Sequence, residues 1–269
     1  MTASGIEATN RLRLDRLHRE LGRPFSVTDA AVTLHLPADK TRRLLAQLAG
    51  RGWLSRIRRN AYALVPLGAS KPGEWREDPW NAAATAFAPC YLGGWTAGEH
   101  WSLTEQLFRD IIVFSSRRVH ERVITLQGTT YRVKRSAPKN FFGLQTVWRG
   151  QNRISVSDPS RTIVDLLDDP SVGGGMRHVS EMVSTYFAGD SRDDAKLIDY
   201  VPKLGNRTVW KRLGFLVETL DISAPELVSV ARKSMSKGLS LLDPAGPKTG
   251  RVLKRWNLRV NLAFERSTR

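Results

Sequence analysis

Residues Phe25 to Pro66 read FSVTDAAVTLHLPADKTRRLLAQLAGRGWLSRIRRNAYALVP, and this stretch decides the fold. Val27, Ala30, Ala31 and Leu34 recur at i, i+3, i+4 and i+7, one face of a short helix. Thr28 and Asp29 are expected to cap its start. Leu36-Pro37 should stop it, because the residue before proline is pushed out of the helical region. A second helix is expected from Ala38 to about Ala49, ended by Gly50 and Gly52, since glycine takes the left-handed conformation found past helix ends. Trp53 to Leu64 then reads as a hairpin with its tip at Arg58-Arg59-Asn60. Asparagine tolerates the positive φ that such a tip requires. Helix, turn, helix and hairpin in this order make a winged helix-turn-helix.

The helical wheel of the second helix buries Leu44, Leu45 and Leu48, with Thr41 beside them. Asp39, Arg43 and Ala46 then point outward, flanked by Lys40, Arg42 and Gln47. Arginine, lysine and glutamine are the side chains that hydrogen-bond base edges and phosphates. Arg56, Arg58 and Arg59 of the hairpin suit a neighbouring minor groove or backbone. The candidate site for double-stranded DNA is therefore Lys40, Arg42, Arg43, Gln47, Arg56, Arg58 and Arg59. A solvated basic helix beside a stabilising hairpin is the plainer reading, and the ordered recurrence of all four elements weighs against it.

The whole chain has 269 residues, 41% hydrophobic and 25% charged, with a net charge of +16. Two domains are expected at that length. Residues 1–66 hold 12 Lys+Arg against 5 Asp+Glu, a denser excess than 12 against 8 in residues 67–160 or 18 against 13 in residues 161–269. Such a balance suits nucleic acid or another acidic partner. The lone Cys90 excludes an internal disulfide and a zinc cluster, and reads as a small apolar side chain. No apolar run reaches transmembrane length and no signal-peptide core opens the chain, so a cytoplasmic protein without a membrane partner is expected.

Outside the central stretch, residues 1–9 are expected to be frayed. Leu12, Leu14, Leu17 and Leu21 make an amphipathic helix. Residues 67–78 (LGASKPGEWRED) read as a linker between a DNA-binding domain, 1–66, and a mixed domain, 79–269. Asp78-Pro79 and Asp158-Pro159 are cap-then-proline helix starts. Strands are expected at Asp110–Ser115, at Arg118–Leu126 and Thr129–Arg135 around Gln127-Gly128, and near Leu144–Trp148 and Ile154–Val156. Helices follow over His178–Phe187, Ala195–Leu204 and Thr208–Leu220, and a last one begins with a capping box, Ser223 to Glu226. Lys254–Phe264 alternates as a closing strand able to join the middle sheet. The fold class is α+β: an N-terminal winged helix followed by a larger helix/sheet domain.

Catalytic signals are weak. Glu99-His100 beside Trp101 resembles an acid–base pair, but a satisfied half-buried histidine is the commoner case. Asp165, Asp168 and Asp169 share a helix face; capping and solvation are expected in place of metal binding. Gly173-Gly174-Gly175 lacks the lysine and hydroxyl ending of a P-loop and reads as a flexible corner. No G-x-S-x-G is present. No catalytic residue, cofactor or metal ligand is assigned, and the chain is not expected to be an enzyme.

FSVTDAAVTL, KTRRLLAQLAGRGWLSRIRRNAYALVPL, PCYLGGWTAGEHWSLTEQLFR, VSDPSRTIVDLLDDP, GNRTVWKRLGFLVE and RWNLRVN together resemble the AbiEi antitoxins of type IV toxin–antitoxin systems, over about Phe25 to Asn261. Glycine often stands at the wing tip of that family, where this chain has Asn60. The resemblance implies an N-terminal winged helix that represses its own operon at inverted repeats, with a possible second copy on the operator. It also implies a C-terminal domain that neutralises a nucleotidyltransferase toxin, directly or indirectly. The Gly-Ser and paired-aspartate pattern of such a toxin is absent here. Two other readings stay open: a nuclease targeted by a winged helix, and a regulator that senses a ligand.

Overall fold

Ser26 opens the helix-turn-helix. In the computed structural model, which describes residues 6–22, 24–119 and 121–263, Asp29 N donates to Ser26 Oγ at 3.1 Å and Ser26 N donates to Asp29 Oδ2 at 2.9 Å. This reciprocal box satisfies donors that a helix start leaves open. The cap is Ser26, two residues earlier than the expected Thr28, because Asp29 then stands at the third helical position. The elements run α1 (Ala8–Glu20), β1 (Phe25–Ser26), α2 (Val27–Leu34), α3 (Ala38–Gly50), β2 (Leu54–Arg58) and β3 (Ala61–Leu64). His35 ends α2 at φ 51° and Pro37 immediately precedes α3. Asn60 takes the positive φ expected of it, 66°. Strand β1 completes a three-stranded sheet in the order β1-β3-β2, with Phe25 opposite Tyr62. Two residues are too few to show alternation, so the sequence does not announce this strand.

Leu17, Ala30, Leu34, Leu44, Leu45 and Leu48 are buried in one cluster with Phe25 and Tyr62. Leu14 and Leu21 pack on it half-buried, but Leu12 is 71% exposed. Leu12 and Leu14 stand two residues apart and so point to opposite sides of a 3.6-residue turn.

The chain continues through α4 (Pro79–Ala86), β4 (Cys90–Leu92), α5 (Gly94–His100), β5 (Ile111–Ser115), β6 (Val123–Leu126), β7 (Thr129–Arg135), β8 (Leu144–Arg149) and β9 (Asn152–Ser157). The last six strands named form a sheet ordered β6-β7-β5-β4-β9-β8. Asp78 caps α4, accepting from Trp80 N and Asn81 N. Gln127 at φ 51° and Gly128 at φ 86° make the two-residue turn between β6 and β7, a geometry suited to the twist of hairpin strands. His120, within the first strand expected for this hairpin, lies outside the described residues, as do residues 1–5 and Phe264. The described part of the supposedly frayed start is helical from Ala8.

By internal contacts the chain forms two compact units. The first comprises Met1–Cys90, Ser115–Arg135 and Thr146–Ser155; the second comprises Tyr91–Phe114, Ser136–Gln145 and Val156–Arg269. The dividing line differs from the expected linker at 67–78. Hydrogen bonds within the first unit give the reason. Gln127 Nε2 donates to Ser55 Oγ at 2.8 Å and to Arg56 O at 3.2 Å, and Gln127 Oε1 accepts from Glu77 N at 3.1 Å. Thr85 Oγ1 donates to Pro24 O at 3.2 Å.

The second unit carries α6 (Pro159–Asp168), α7 (Met176–Ala188), α8 (Asp194–Leu204), α9 (Thr208–Thr219), α10 (Pro225–Ser234), β10 (Ser240–Leu241), β11 (Arg251–Leu253) and β12 (Leu258–Val260). Asp158 caps α6 by accepting from Arg161 N at 2.7 Å. Helix α10 has no side-chain cap: Ala224, not Ser223, precedes its first residue, so the expected capping box does not form. The closing strand is also shorter than expected. Lys254–Trp256 is a 3₁₀ turn, and β12 joins β10 and β11 in a separate sheet ordered β10-β12-β11, not the six-stranded one. Gly214 explains part of the GNRTVWKRLGFLVE block: a Cβ there would overlap the indole ring of buried Trp256.

Alanine for glycine inside a helix normally gains up to about 1 kcal/mol. At Gly214 the overlap with Trp256 should outweigh that gain, so Gly214→Ala is expected to lower the thermal midpoint. A raised midpoint by circular dichroism would show that Trp256 can move aside. Cys90 gives a second expectation. Burial pushes its thiol up to about 12. At pH 8 the thiolate is then about one part in ten thousand, and the thiolate is the nucleophile. Native protein should react with a disulfide reagent far more slowly than protein in denaturant; equal rates would contradict that burial.

Candidate nucleic-acid interface

Helix α3 is held at one rotation by Leu44, Leu45 and Leu48, which are 8%, 0% and 1% exposed. Lys40, Arg42, Arg43 and Gln47 consequently stand exposed, as do Asp39 and Ala46. Arg42 Nη1 pairs with Asp39 Oδ1 at 2.5 Å, and Arg42 Nε donates to Asn60 Oδ1 at 3.4 Å. Arg42 therefore links the start of α3 to the wing tip. The pair is solvent-exposed and worth little to stability. Its effect is to fix where one guanidinium lies.

The wing presents Arg56 and Arg59 to solvent. Arg58 departs from the sequence reading. Its Nη1 donates to Ala86 O at 2.8 Å, its guanidinium lies 5.9 Å from the centre of the Phe87 ring, and the residue is half-buried. Burial, and then the nearby positive charge of Arg117, lower its pKa. The pairing of β2 with β3 shifts register between Arg56 and Arg58: Arg56 faces Tyr62 and Arg58 faces Ala61. Such a bulge re-aims the side chains that follow it. Regular alternation would have kept both arginines on one face. The candidate set thus divides: six side chains are exposed and Arg58 is occupied within the first unit.

Two residues that the sequence reading did not single out shape this surface. Gln127 ties β2 from a turn more than seventy positions later, which no local pattern signals. His35, at the left-handed end of α2, accepts from Arg16 Nη2 at 2.9 Å and fixes α1 against the turn.

The weaker candidates resolve into structure. His100 packs edge-on against Trp101, ring centres 4.4 Å apart. Asp165 is not solvated: it is buried, pairs with Arg161 at 3.0 Å and accepts from Tyr91 Oη at 3.1 Å. Asp168 accepts from Asn206 Nδ2 at 2.8 Å, and Asp169 caps the turn at Ser171. In the Gly173–Gly175 corner Gly173 is buried and closely packed. A Cβ on Gly173 would lie 2.5 Å from Val179, and Met176 N donates to the Asp243 carboxylate at 3.1 Å, where a phosphate would meet negative charge. Among the described residues, no three His, Cys, Asp or Glu side chains are grouped as a metal site requires.

Residues 12–65 match the family described as transcriptional regulator, AbiEi antitoxin. Over that stretch the chain is similar to the domain of an AbiEi antitoxin regulator. The domain's limits enclose α2, α3 and both wing strands, and they fall on the candidate set Lys40 to Arg59. A crystal structure of the RV2827C protein from Mycobacterium tuberculosis aligns with 95% of this chain and 92% of that one, at a TM-score of 0.59 and 15% identity. At that identity the likeness is one of fold. No curated protein gives a significant match. Among the described residues, no helix is long and apolar enough to cross a membrane.

The placement of Arg58 yields a test that needs no DNA. Removing a charge-assisted bond to a carbonyl should cost about 1–2 kcal/mol. Arg58→Ala is expected to lower the denaturation midpoint in urea, whereas Arg43→Ala, at an exposed position, should leave it unchanged. Equal midpoints for both variants would mean that the Ala86 contact contributes nothing.

Proposed function

We propose that this chain is an antitoxin that represses its own operon and neutralises a nucleotidyltransferase-type toxin. One observation carries the first half. Lys40, Arg42, Arg43 and Gln47 stand exposed on the helix that follows the turn, beside an exposed wing bearing Arg56 and Arg59, inside a domain matching a regulator family. In this reading α3 enters a major groove. Arg43 reads a base edge, Lys40 and Gln47 flank it, and Arg42, placed by Asp39 and Asn60, holds a phosphate. Arg56 and Arg59 hold the backbone or the adjacent minor groove. Arg58 supports the wing from behind.

One winged helix reads too few base pairs to find a single promoter among a genome's competing sites. Two copies on an inverted repeat meet that demand. The division of labour proposed is DNA recognition by residues 1–66 and neutralisation by the chain beyond residue 78. The resemblance of the later sequence blocks to AbiEi antitoxins supports the second role.

Three measurements bear on this. Footprinting should protect two inverted half-sites; full-affinity binding to one half-site would count against the pairing. Arg43→Ala should cost about 1–3 kcal/mol and relax preference at one base pair per half-site, whereas Arg59→Ala should weaken all sequences alike and reduce the salt slope by roughly one charge. Finally, a triple Arg42, Arg43, Arg59→Ala protein should lose repression yet rescue growth under induced toxin, both proteins being made from unrelated promoters. Loss of rescue by this folded variant would join the winged helix to neutralisation.

A further inference from the structure

The first unit contains a cavity of about 660 Å³ that the DNA-binding reading leaves unused. Its size lies within the range of about 300–1,000 Å³ typical of small-molecule sites. One wall is α1, where Leu14 and Asp15 face inward beside Arg11 and His18, spaced as one helical face. The lining also includes the root of the wing, Trp53 and Leu64, together with Trp75. Asn152 closes one side. The Asn152 Oδ1 atom is buried without a hydrogen-bond partner among the described residues. Buried acceptors are rarely left open, so an unmet one in a cavity wall calls for a donor.

We infer that this cavity binds a neutral, flat, apolar ring compound carrying one N–H donor. The indole walls supply ring faces and Leu14 and Leu64 supply apolar area. Asn152 Oδ1 receives the donor. Asp15 is already paired with Arg19, and Glu77 shares the lining with Arg11, so the cavity holds no net excess of either charge and suits a neutral ligand. Burial raises the pKa of Glu77, and its Oε1 already accepts from Asp78 N and Asn81 Nδ2 at 3.0 Å, leaving Asn152 as the open acceptor. The site also touches the wing. Val65 N donates to Trp53 O at 3.2 Å, closing the hairpin's root, so an occupant between Trp53 and Leu64 bears on the strands that carry Arg56 and Arg59. This coupling rests on the proposed function; the binding itself does not.

The probe is N-phenylnaphthylamine, a neutral fluorescent aromatic amine with a single N–H. Titrated into the full chain, it should brighten and saturate at one site per chain. Leu14→Trp, which fills the cavity, should abolish the signal. Asn152→Leu, at a half-buried position, should weaken binding about tenfold, the equivalent of one hydrogen bond, with the thermal midpoint of the variant measured beside it. Leu107→Ala, which removes an exposed leucine from the second unit, should change nothing. The proposal is overturned if the chain gives no saturable signal, if Asn152→Leu binds as the parent does, or if Leu107→Ala removes the signal. With promoter duplex present, saturating probe should shift duplex affinity. An unchanged affinity would overturn the coupling to the wing and leave the site standing. A chain that takes the probe but binds no duplex would instead refute the DNA-binding reading.

Discussion

Three leucines on α3 can be buried together only if that helix stands at one angle about its axis. Leu44, Leu45 and Leu48 impose that angle, and Ala30 and Leu34 of α2 with Leu17 of α1 receive them. Everything exposed on α3 follows, because 3.6 residues per turn leave no freedom once one face is fixed. The basic face is therefore a by-product of packing: lysine, arginine and glutamine occupy the positions that the core does not claim. The sheet β1-β3-β2 closes the same core from the other side through Phe25 and Tyr62, and so ties the wing's position to the same three leucines.

The second unit rests on a different constraint, the satisfaction of buried cations. Arg212 donates to four backbone carbonyls, those of Leu167, Asp168, Leu241 and Leu242. Lys211 donates to Gly238 O and to Ser240 Oγ. Both side chains are buried, and burial lowers the pKa of each. Adjacent on α9, they pin the segment that leads into the small sheet. Arg161 plays a comparable part on α6, held by Asp165 and Tyr91 with its guanidinium over the Phe142 ring at 4.1 Å. Unpaired, such charges would be costly to bury, so their partners are fixed along with them.

What the sequence disclosed follows from the range of the forces involved. The helix-turn-helix, the left-handed Asn60, the two cap-then-proline starts and the β6–β7 turn are all set by residues within a few positions of each other, and all can be read locally. Boundaries governed by distant contacts cannot. Nothing near Arg58 announces a bulge, and nothing near Ser55 announces Gln127. The aspartates of α6 show the same limit. Their shared face was visible, but the partners that bury Asp165 come from Tyr91 as well as from Arg161, and the first is 74 positions away. The α3 surface was legible because helical periodicity exposes it; the cavity beside Trp53 was not, since its walls come from five separate segments.

The Gln127 contact also bears on the order in which the protein is made. Ser55 and its clasp are 72 positions apart, and the amino-terminal half of that span is synthesised first. During translation the helix-turn-helix core can close as soon as Leu64 has emerged, while the outer side of β2 waits for a turn not yet made. The same holds for Arg58, whose carbonyl partner at Ala86 arrives later than the wing itself. A chimaera that borrows only residues 1–66 as a DNA-reading module would inherit that unfinished state permanently. A graft that keeps the wing as it stands in this protein has to carry the Glu77–Ala86 segment and the β6–β7 hairpin along with it.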